Sequence, residues 1–311
     1  MIYTITLNPS IDYTMYVDIF SPGNNLSAIR SSKRMAGKGL NCSVVLEKCG
    51  VKSESIVLFG ISDSSLIERP SNHKNINIFY RDGDNRTNFT ILERGGRSTH
   101  IRDNVSLDCE YKLIEILEYL SKKVEKDDIL IISGKIPEFS KRDAVIDFVR
   151  ACCGVSDKVI IDSQSFSSEE IAEFDIDILK INSDEFSSIF GILLDGNSDC
   201  DVIQRYSNNY GISIIVTFGS SGCIAVERGN KPLKVLIGES EKVKGSDAVG
   251  SGDSFLAGYI YGLTEGLSFS ERLTVATSFG IARQHAEGLE SIDLSPVNIS
   301  SIVEKLIVQN T

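Results

Sequence analysis

Proline is scarce in this sequence, with 6 in 311 residues, and glycine is moderate at 25. With 41% hydrophobic residues, that leaves little room for linkers or disordered tracts, so most of the chain should be packed secondary structure. Cysteine pairing is also missing. Cys42, Cys49, Cys109, Cys152, Cys153, Cys200 and Cys223 are odd in number and contain no Cys-x-x-Cys, which argues against a disulfide framework or a zinc site. His73, His100 and His285 lack ligand-like spacing and default to surface or packing roles. The opening Met1-Ile2-Tyr3-Thr4-Ile5-Thr6-Leu7 has no basic stretch, and its apolar run is too short for a signal peptide. No segment approaches the length of a membrane span, so the expectation is a soluble, cytoplasmic protein. Cations are outnumbered, 32 Lys and Arg against 43 Asp and Glu, and a net charge of −11 argues against a broad nucleic-acid footprint. Small anionic ligands stay open, because they need only a few local cations and backbone donors.

The length allows one large α/β domain or two smaller ones. From about residue 105 onward, helical patterns alternate with short β-branched runs, the order that a mostly parallel sheet flanked by helices requires. Leu113, Ile114, Leu117 and Leu120 recur at helical spacing before the strand Ile129-Leu130-Ile131-Ile132. A helix through Val145, Phe148 and Val149 then precedes Val159-Ile160-Ile161, and the strands Ile178-Leu179-Lys180-Ile181 and 212–217 follow. Ser167 with Glu170 and Ser268 with Glu271 have capping-box spacing, the second opening a long helix toward His285. Before residue 105, Tyr13-Thr14-Met15-Tyr16-Val17 and Asn88-Phe89-Thr90-Ile91-Leu92 are strand-like, punctuated by Gly83, Gly95 and Gly96. They predict a small β-sheet lid, with strands from about 10–34 and 76–104, appended to one α/β body spanning 1–311.

The strongest chemical signal is Asp247-Ala248-Val249-Gly250-Ser251-Gly252-Asp253-Ser254, running into a helical pattern at Phe255, Leu256, Ala257 and Tyr259. The glycines let backbone N–H groups approach an anion, and a helix N-terminus adds partial positive charge. Asp253 would sit in the first turn, able to take a proton from an attacking hydroxyl. A glycine turn with Asp253 as a simple helix cap reads the same octapeptide equally well. It is not a dinucleotide fingerprint, because the third glycine would fall at Phe255. A second signal, Ala36-Gly37-Lys38-Gly39-Leu40-Asn41, also suits anion capture, or else a solvated turn lysine. It is no Walker A loop: the first glycine would fall at Ser32, and Gly39 takes the Ser/Thr position.

These two loops, together with Thr6-Leu7-Asn8-Pro9-Ser10-Ile11-Asp12, stand in an order and spacing that resembles PfkB carbohydrate kinases. Within that family they are most similar to the sugar-phosphate branch containing 1-phosphofructokinase and tagatose-6-phosphate kinase. Asn85-Arg86-Thr87-Asn88, Ser133-Gly134-Lys135-Ile136-Pro137, Lys180-Ile181-Asn182-Ser183-Asp184-Glu185 and Thr217-Phe218-Gly219-Ser220-Ser221-Gly222 match further family elements, so the resemblance covers essentially the whole chain. It implies a ribokinase-like α/β fold and transfer of the γ-phosphoryl group of ATP, with Mg²⁺, to a ketohexose monophosphate. Tagatose-6-phosphate is the first candidate and fructose-1-phosphate the alternative. A non-catalytic sugar-phosphate or nucleotide sensor on a kinase fold is the reading from another class.

By the same resemblance Asp253 is the base, with the N–H groups of Gly250, Ser251 and Gly252 binding developing charge. Asp12 would bind sugar hydroxyls, assisted by Asn41 and the Gly37 loop, while Lys38 and Arg86 would hold the acceptor's phosphate. Lys180, Asn182, Thr217, Gly219, Gly222 and Gly252 would line the ATP site, with Asn182 and Glu185 organising Mg²⁺. The branch also implies a homodimer through the lid. Taken singly, Asp12 could be a turn residue, Arg86 a solvated cation, and Asn182 with Glu185 a helix start. Four departures stand out: Ala36 for a common glycine, Ile181 for proline, Asp247 for a frequent asparagine, and Lys135 for a small serine beside the expected substrate. The stretch 60–75 is shorter than usual, which leaves one wall of the substrate pocket undefined.

Overall fold

The β-branched runs form the strands of a central sheet, and the first of them lies near its middle. In chain order the strands are β1 (Ile2–Thr6), β2 (Ser10–Val17), β3 (Arg30–Ala36), β4 (Ser53–Gly60), β5 (Ile76–Arg81), β6 (Arg86–Glu93), β7 (Ser98–Arg102), β8 (Ser106–Leu107), β9 (Ile129–Ser133), β10 (Glu138–Phe139), β11 (Lys158–Asp162), β12 (Ile178–Asn182), β13 (Ser213–Thr217), β14 (Gly222–Val226), β15 (Leu233–Ile237) and β16 (Leu306–Asn310). The helices are α1 (Lys38–Lys48), α2 (Glu110–Lys123), α3 (Arg142–Val155), α4 (Ser168–Ala172), α5 (Ser183–Phe190), α6 (Asp199–Tyr210), α7 (Ser251–Thr264), α8 (Phe269–Gln284) and α9 (Pro296–Val303). They belong to a computed structural model that describes residues 1–63, 69–70, 73–103, 106–107, 109–139, 141–195, 199–238 and 249–310. Asp247, Ala248 and much of the shortened 60–75 stretch lie outside the described residues.

The large sheet runs β16-β15-β14-β13-β12-β11-β9-β1-β4-β5. Every neighbouring pair from β13 to β5 is parallel, while β14, β15 and β16 add an antiparallel edge. Parallel strands are covered on both faces, so their side chains must alternate between two cores. In β9, Leu130 and Ile132 pack with Leu113, Ile116 and Leu120 of α2 and with Val145 and Val149 of α3. Ile129 and Ile131 point the other way, into a core with Val44 of α1, Phe255 of α7 and Leu273 of α8. The result is the expected α/β architecture of three layers.

Two details of the helix and strand expectations are corrected. α2 forms where expected, but Ile114 is 62% exposed and Ile116, fully buried, takes the inward place. Residues 113, 116 and 120 share one stripe of the helix, whereas 114 lies a third of a turn around. The segment 76–104 also divides. β5 pairs with β4 at the edge of the large sheet, because Ile76 and Ile78 pack against the small core of Ile11, Met35, Leu40, Val57 and Phe59. Only β6 and β7 join the lid, a separate sheet of order β3-β2-β6-β7. Both capping boxes form, at Ser167 with Glu170 and at Ser268 with Glu271.

Candidate active site

Ligands of open parallel sheets bind outside the carboxyl ends of the strands, and there the polar residues of this chain collect. β1 ends at Thr6, β9 at Ser133, β11 at Asp162, β12 at Asn182 and β13 at Thr217. The start of α1 is pressed onto the end of β1: a Cβ on Gly39 would lie 2.7 Å from the Thr6 hydroxyl. Such an approach leaves room for no side chain, and the Thr6 hydroxyl accepts from the Leu40 N–H at 3.2 Å. This docking aims Lys38 and Asn41 into the cleft.

Opposite them, α7 begins after Gly250, whose φ of 86° is left-handed backbone that glycine adopts at little cost. Ser251, Gly252 and Asp253 form the first turn, so their N–H groups lack intrahelical partners and face the cleft. Asp253 is buried, and Asn41 Nδ2 donates to its Oδ2 at 2.7 Å. Two loops 212 residues apart are thereby joined through the candidate base. Burial, then the negative charge of Asp162, pushes the Asp253 carboxyl above the ordinary carboxylate value, against the pull of Lys38, Asn41 and Lys180.

Asp162 was not singled out in the sequence, yet it organises the floor. It has no exposed surface; its Oδ1 lies 3.3 Å from both Lys38 Nζ and Lys180 Nζ, and Ser133 Oγ donates to its Oδ2 at 3.0 Å. Burial alone would raise the Asp162 pKa, but Lys180 and Lys38 outweigh it and hold the carboxyl below its ordinary value. Burial would likewise lower the Lys38 pKa, and Asp162, Glu185 and Asp253 reverse that, holding the ammonium above its usual value. Lys38 Nζ also donates to Glu185 Oε1 at 3.2 Å. Glu185 and Asn182 form a reciprocal capping box at α5: each backbone N–H donates to the other's side-chain oxygen, at 2.8 and 2.9 Å. The helix-start reading of this pair is therefore true structurally, and it also fixes Glu185 beside Lys38. Lys135 is exposed just beyond β9, after Gly134, which packs against the Lys38 stem.

The lid contributes Asp12 and Arg86 from adjacent strands. Asn88, directly opposite Asp12, donates through Nδ2 to Asp12 Oδ1 and to Ser10 Oγ, each at 3.0 Å. Arg86 donates through Nε and Nη2 to the Asn8 carbonyl and through Nη1 to Asn88 Oδ1. Arg34, opposite Asp12 on the other side, lies 3.8 Å from its carboxylate.

A pocket beside the α7 N-terminus is lined by Thr217, Gly219, Gly222, Ser251 and Gly252, together with Ile237, Phe255, Thr277, Gly280, Ile281 and Gln284. It suits a nucleotide, with an apolar slot for a base and backbone donors at one end. Ser251 Oγ is buried there without a hydrogen-bond partner among the described residues, and a Cβ on Gly252 would stand 3.2 Å from Lys180 Nζ. Gly222 is fixed by the sheet as well, since a Cβ there would meet the Val235 carbonyl at 1.9 Å.

A model of the pfkB family of carbohydrate kinases matches residues 5–291. The chain belongs to this PfkB family. It is thus a carbohydrate kinase, a phosphotransferase that uses ATP. A 1-phosphofructokinase of Borreliella burgdorferi is 27% identical over 93% of this chain and 92% of its own length. A tagatose-6-phosphate kinase of Staphylococcus epidermidis is 30% identical over 90% of this chain and 91% of its own length. The same fold is found in the crystal structure of a possible 1-phosphofructokinase from Thermotoga maritima, at TM-score 0.84 and 21% identity, with 100% and 99% of the two chains covered. Phosphofructokinase-2 from Escherichia coli, in complex with potassium, gives 0.79 at 21% identity over 97% and 98%.

Three features of this PfkB kinase were not signalled by motifs. Asp162 closes the apolar run Val159-Ile160-Ile161, and an acid at the end of a buried strand is the cue that could have found it. Thr277, Gly280, Ile281 and Gln284 form one stripe of α8, visible as helical spacing of small and polar residues. His73 takes the packing role of the two expected for it, in a buried chain whose partners the sequence did not signal: Nδ1 is 2.6 Å from Glu47 Oε2 and Nε2 is 3.0 Å from Ser55 Oγ. That order resembles a nucleophilic relay, but Ser55 has no exposed surface and bonds onward to Thr4, so the chain ties α1 to the sheet. No described helix is long and apolar enough to cross a membrane.

Proposed function

We propose that this PfkB kinase phosphorylates a free hydroxyl of a ketohexose monophosphate, giving a bisphosphate and ADP. Tagatose-6-phosphate is the first acceptor, and fructose-1-phosphate the second because relatives of both names align over nearly the full chain. The observation that carries the proposal is the Asn41 to Asp253 hydrogen bond at the N-terminus of α7, which sets a buried carboxylate beside backbone donors. Asp253 takes the proton of the acceptor hydroxyl as it attacks in line. The N–H groups of Ser251, Gly252 and Asp253, from the Gly250 turn, face the charge that develops on the transferring phosphoryl. Asp12 and Asn88 hold sugar hydroxyls, Arg86 presents cationic N–H groups on the same lid face, and Lys135 and the Gly37 loop border the acceptor.

Lys38 was expected to grip the acceptor's phosphate. Its contacts with Asp162 and Glu185 favour a place at the transferring phosphoryl, between donor and acceptor. Lys180 stands on the nucleotide side, with Thr217, Gly219, Gly222 and Gly252 along the pocket. Mg²⁺ prefers oxygen ligands and keeps waters, and the carboxylates of Glu185 and Asp162 fit that chemistry. Glu185 would hold the ion through water, with Asn182 orienting it, and the ion would neutralise nucleotide phosphate charge.

The protein is proposed to work as a homodimer through the lid. Along β2 and β6 alternate residues face opposite sides, and the side away from Asp12 carries Tyr13, Met15, Phe89 and Ile91. Tyr13 and Phe89 pack with ring centroids 5.8 Å apart and planes tilted by 55°, and Ile101 on β7 is 57% exposed. A small sheet with one polar and one apolar face leaves the apolar face to be covered, and a second lid fits it.

ADP release coupled to a reporter, measured over tagatose-6-phosphate, fructose-1-phosphate, other sugar phosphates and free sugars, tests the acceptor. Turnover highest on a ketohexose monophosphate supports the reading. Preference for an unphosphorylated sugar, or binding with no turnover on any of them, overturns it.

A further inference from the structure

The register of the lid strands sets Arg34 of β3 and Asn88 of β6 on either side of Asp12, in one row on the polar face. Directly opposite residues on adjacent strands share a face, and the contacts of Asp12 with both neighbours confirm it. The two neighbours differ in how they hold it. Asn88 makes a 3.0 Å hydrogen bond and is itself fixed by Arg86 and Ser10. Arg34 stands off at 3.8 Å, beyond hydrogen-bond distance, with 31% of its side chain exposed.

Arg86 has three of its five N–H groups committed to Asn8 and Asn88. Its guanidinium is built into the lid, and the exposed Arg102 stands in the same row opposite Asn88, two strands from Asp12, so the movable cation in contact with Asp12 itself is Arg34. A sugar whose hydroxyls bind Asp12 must compete with that cation. Displaced into a half-dry cleft, the cation needs another anion, and a phosphorylated acceptor brings one.

We propose that Arg34 is a specificity residue: it neutralises Asp12 in the free enzyme and transfers to the acceptor's own phosphate when the sugar takes Asp12. The exchange favours phosphorylated over free ketohexoses, because a neutral sugar displaces Arg34 without offering it a partner. Arg fits this role better than Lys, since its planar fork matches either a carboxylate or a phosphate. The inference rests on the reading of the polar lid face as the acceptor side.

The test compares full-length wild type with Arg34→Ala and Arg34→Lys. Acceptor affinity is read as KM for tagatose-6-phosphate and fructose-1-phosphate, and as competitive Ki for the corresponding free sugars. Arg34→Ala is expected to raise KM for the phosphorylated acceptors by roughly 10-fold or more, and to leave Ki for the free sugars unchanged or lower it by up to about 3-fold, since nothing then competes with them for Asp12. The lysine variant should recover part of the difference. Because both constants come from one preparation, a misfolded fraction does not mimic the result. If KM moves no more than Ki while wild type still prefers phosphorylated acceptors, Arg34 plays no part in the choice and the acceptor reading stands. If wild type binds the free sugars more tightly, that reading fails and the inference fails with it.

Discussion

In the floor of the site Asp162, Glu185 and Lys180 are buried and the charges answer one another, whereas in the lid they are partly exposed and loosely paired. Asp162 and Lys180 have 0% and 4% of their side chains exposed, and Asp162 engages two lysines and a serine. Asp12 and Arg34 keep 18% and 31% exposed at 3.8 Å. A buried ion cluster gives its geometry before substrate arrives, and taking away one member costs about 3 to 5 kcal/mol. An exposed pair contributes about 0 to 1 kcal/mol and can be exchanged for a ligand contact. The difference separates chemistry from choice of acceptor: floor substitutions should strike kcat, and lid substitutions KM.

The largest effect is expected at Asp253. Asp253→Asn keeps the shape and the neighbours but cannot take a proton, so kcat should fall by about 10²- to 10⁴-fold with ATP affinity largely retained. Single-turnover kinetics and nucleotide titration would measure both. A mutant kcat near wild type would remove Asp253 from the chemistry and leave the floor as a binding surface only.

Lys38→Met sharpens the comparison through pH. The base works deprotonated, so activity falls as pH drops through the Asp253 pKa, which burial and Asp162 already hold above the ordinary carboxylate value. Lys38 is one of the groups that lower it, and its loss should move the acid limb of kcat/KM to higher pH. With the phosphoryl contact gone, kcat should also drop about 10- to 100-fold. An acid limb that stays in place would mean that Lys38 and Asp253 do not share a field. Arg86→Ala acts on the lid and should raise KM for a sugar phosphate by about 10-fold or more while lowering kcat much less. A fall confined to kcat would break the division between floor and lid.

What could be read in the sequence divides along similar lines. Gly250, Ser251, Gly252 and Asp253 carry their meaning locally, because a glycine turn opening a helix makes an anion site wherever it stands. Lys38 and Asn41 were found for the same reason, and the capping boxes at Ser167 and Ser268 are local as well. Asp162 owes its role to lying between β9 and β12, so that Lys38 and Lys180, 142 positions apart in sequence, meet on one oxygen. No window of sequence around it contains that fact. Arg34 acquires interest only through the register that sets it against Asp12, and register is decided by pairing across strands. The exchange of Ile114 for Ile116 in α2 is a smaller case, since a stripe drawn from apolar spacing leaves open which of two isoleucines two positions apart faces the sheet.

The smallest effect on chemistry, and the sharpest on assembly, is expected on the far side of the lid. Phe89 packs on Tyr13 on the face opposite Asp12, so a charge placed there leaves the acceptor contacts of the polar face in position. It would, however, put an unpaired carboxylate into any surface formed by two apolar lid faces, and such burial is strongly unfavourable. Phe89→Asp should therefore shift the protein from dimer to monomer in light scattering across a dilution series, with a modest rise in acceptor KM as the lid loses support and little change in kcat. Wild type should stay dimeric at micromolar concentration. A wild-type monomer with full activity there would show that the apolar face is covered by the protein's own cleft, and the lid would then work within one chain instead of between two.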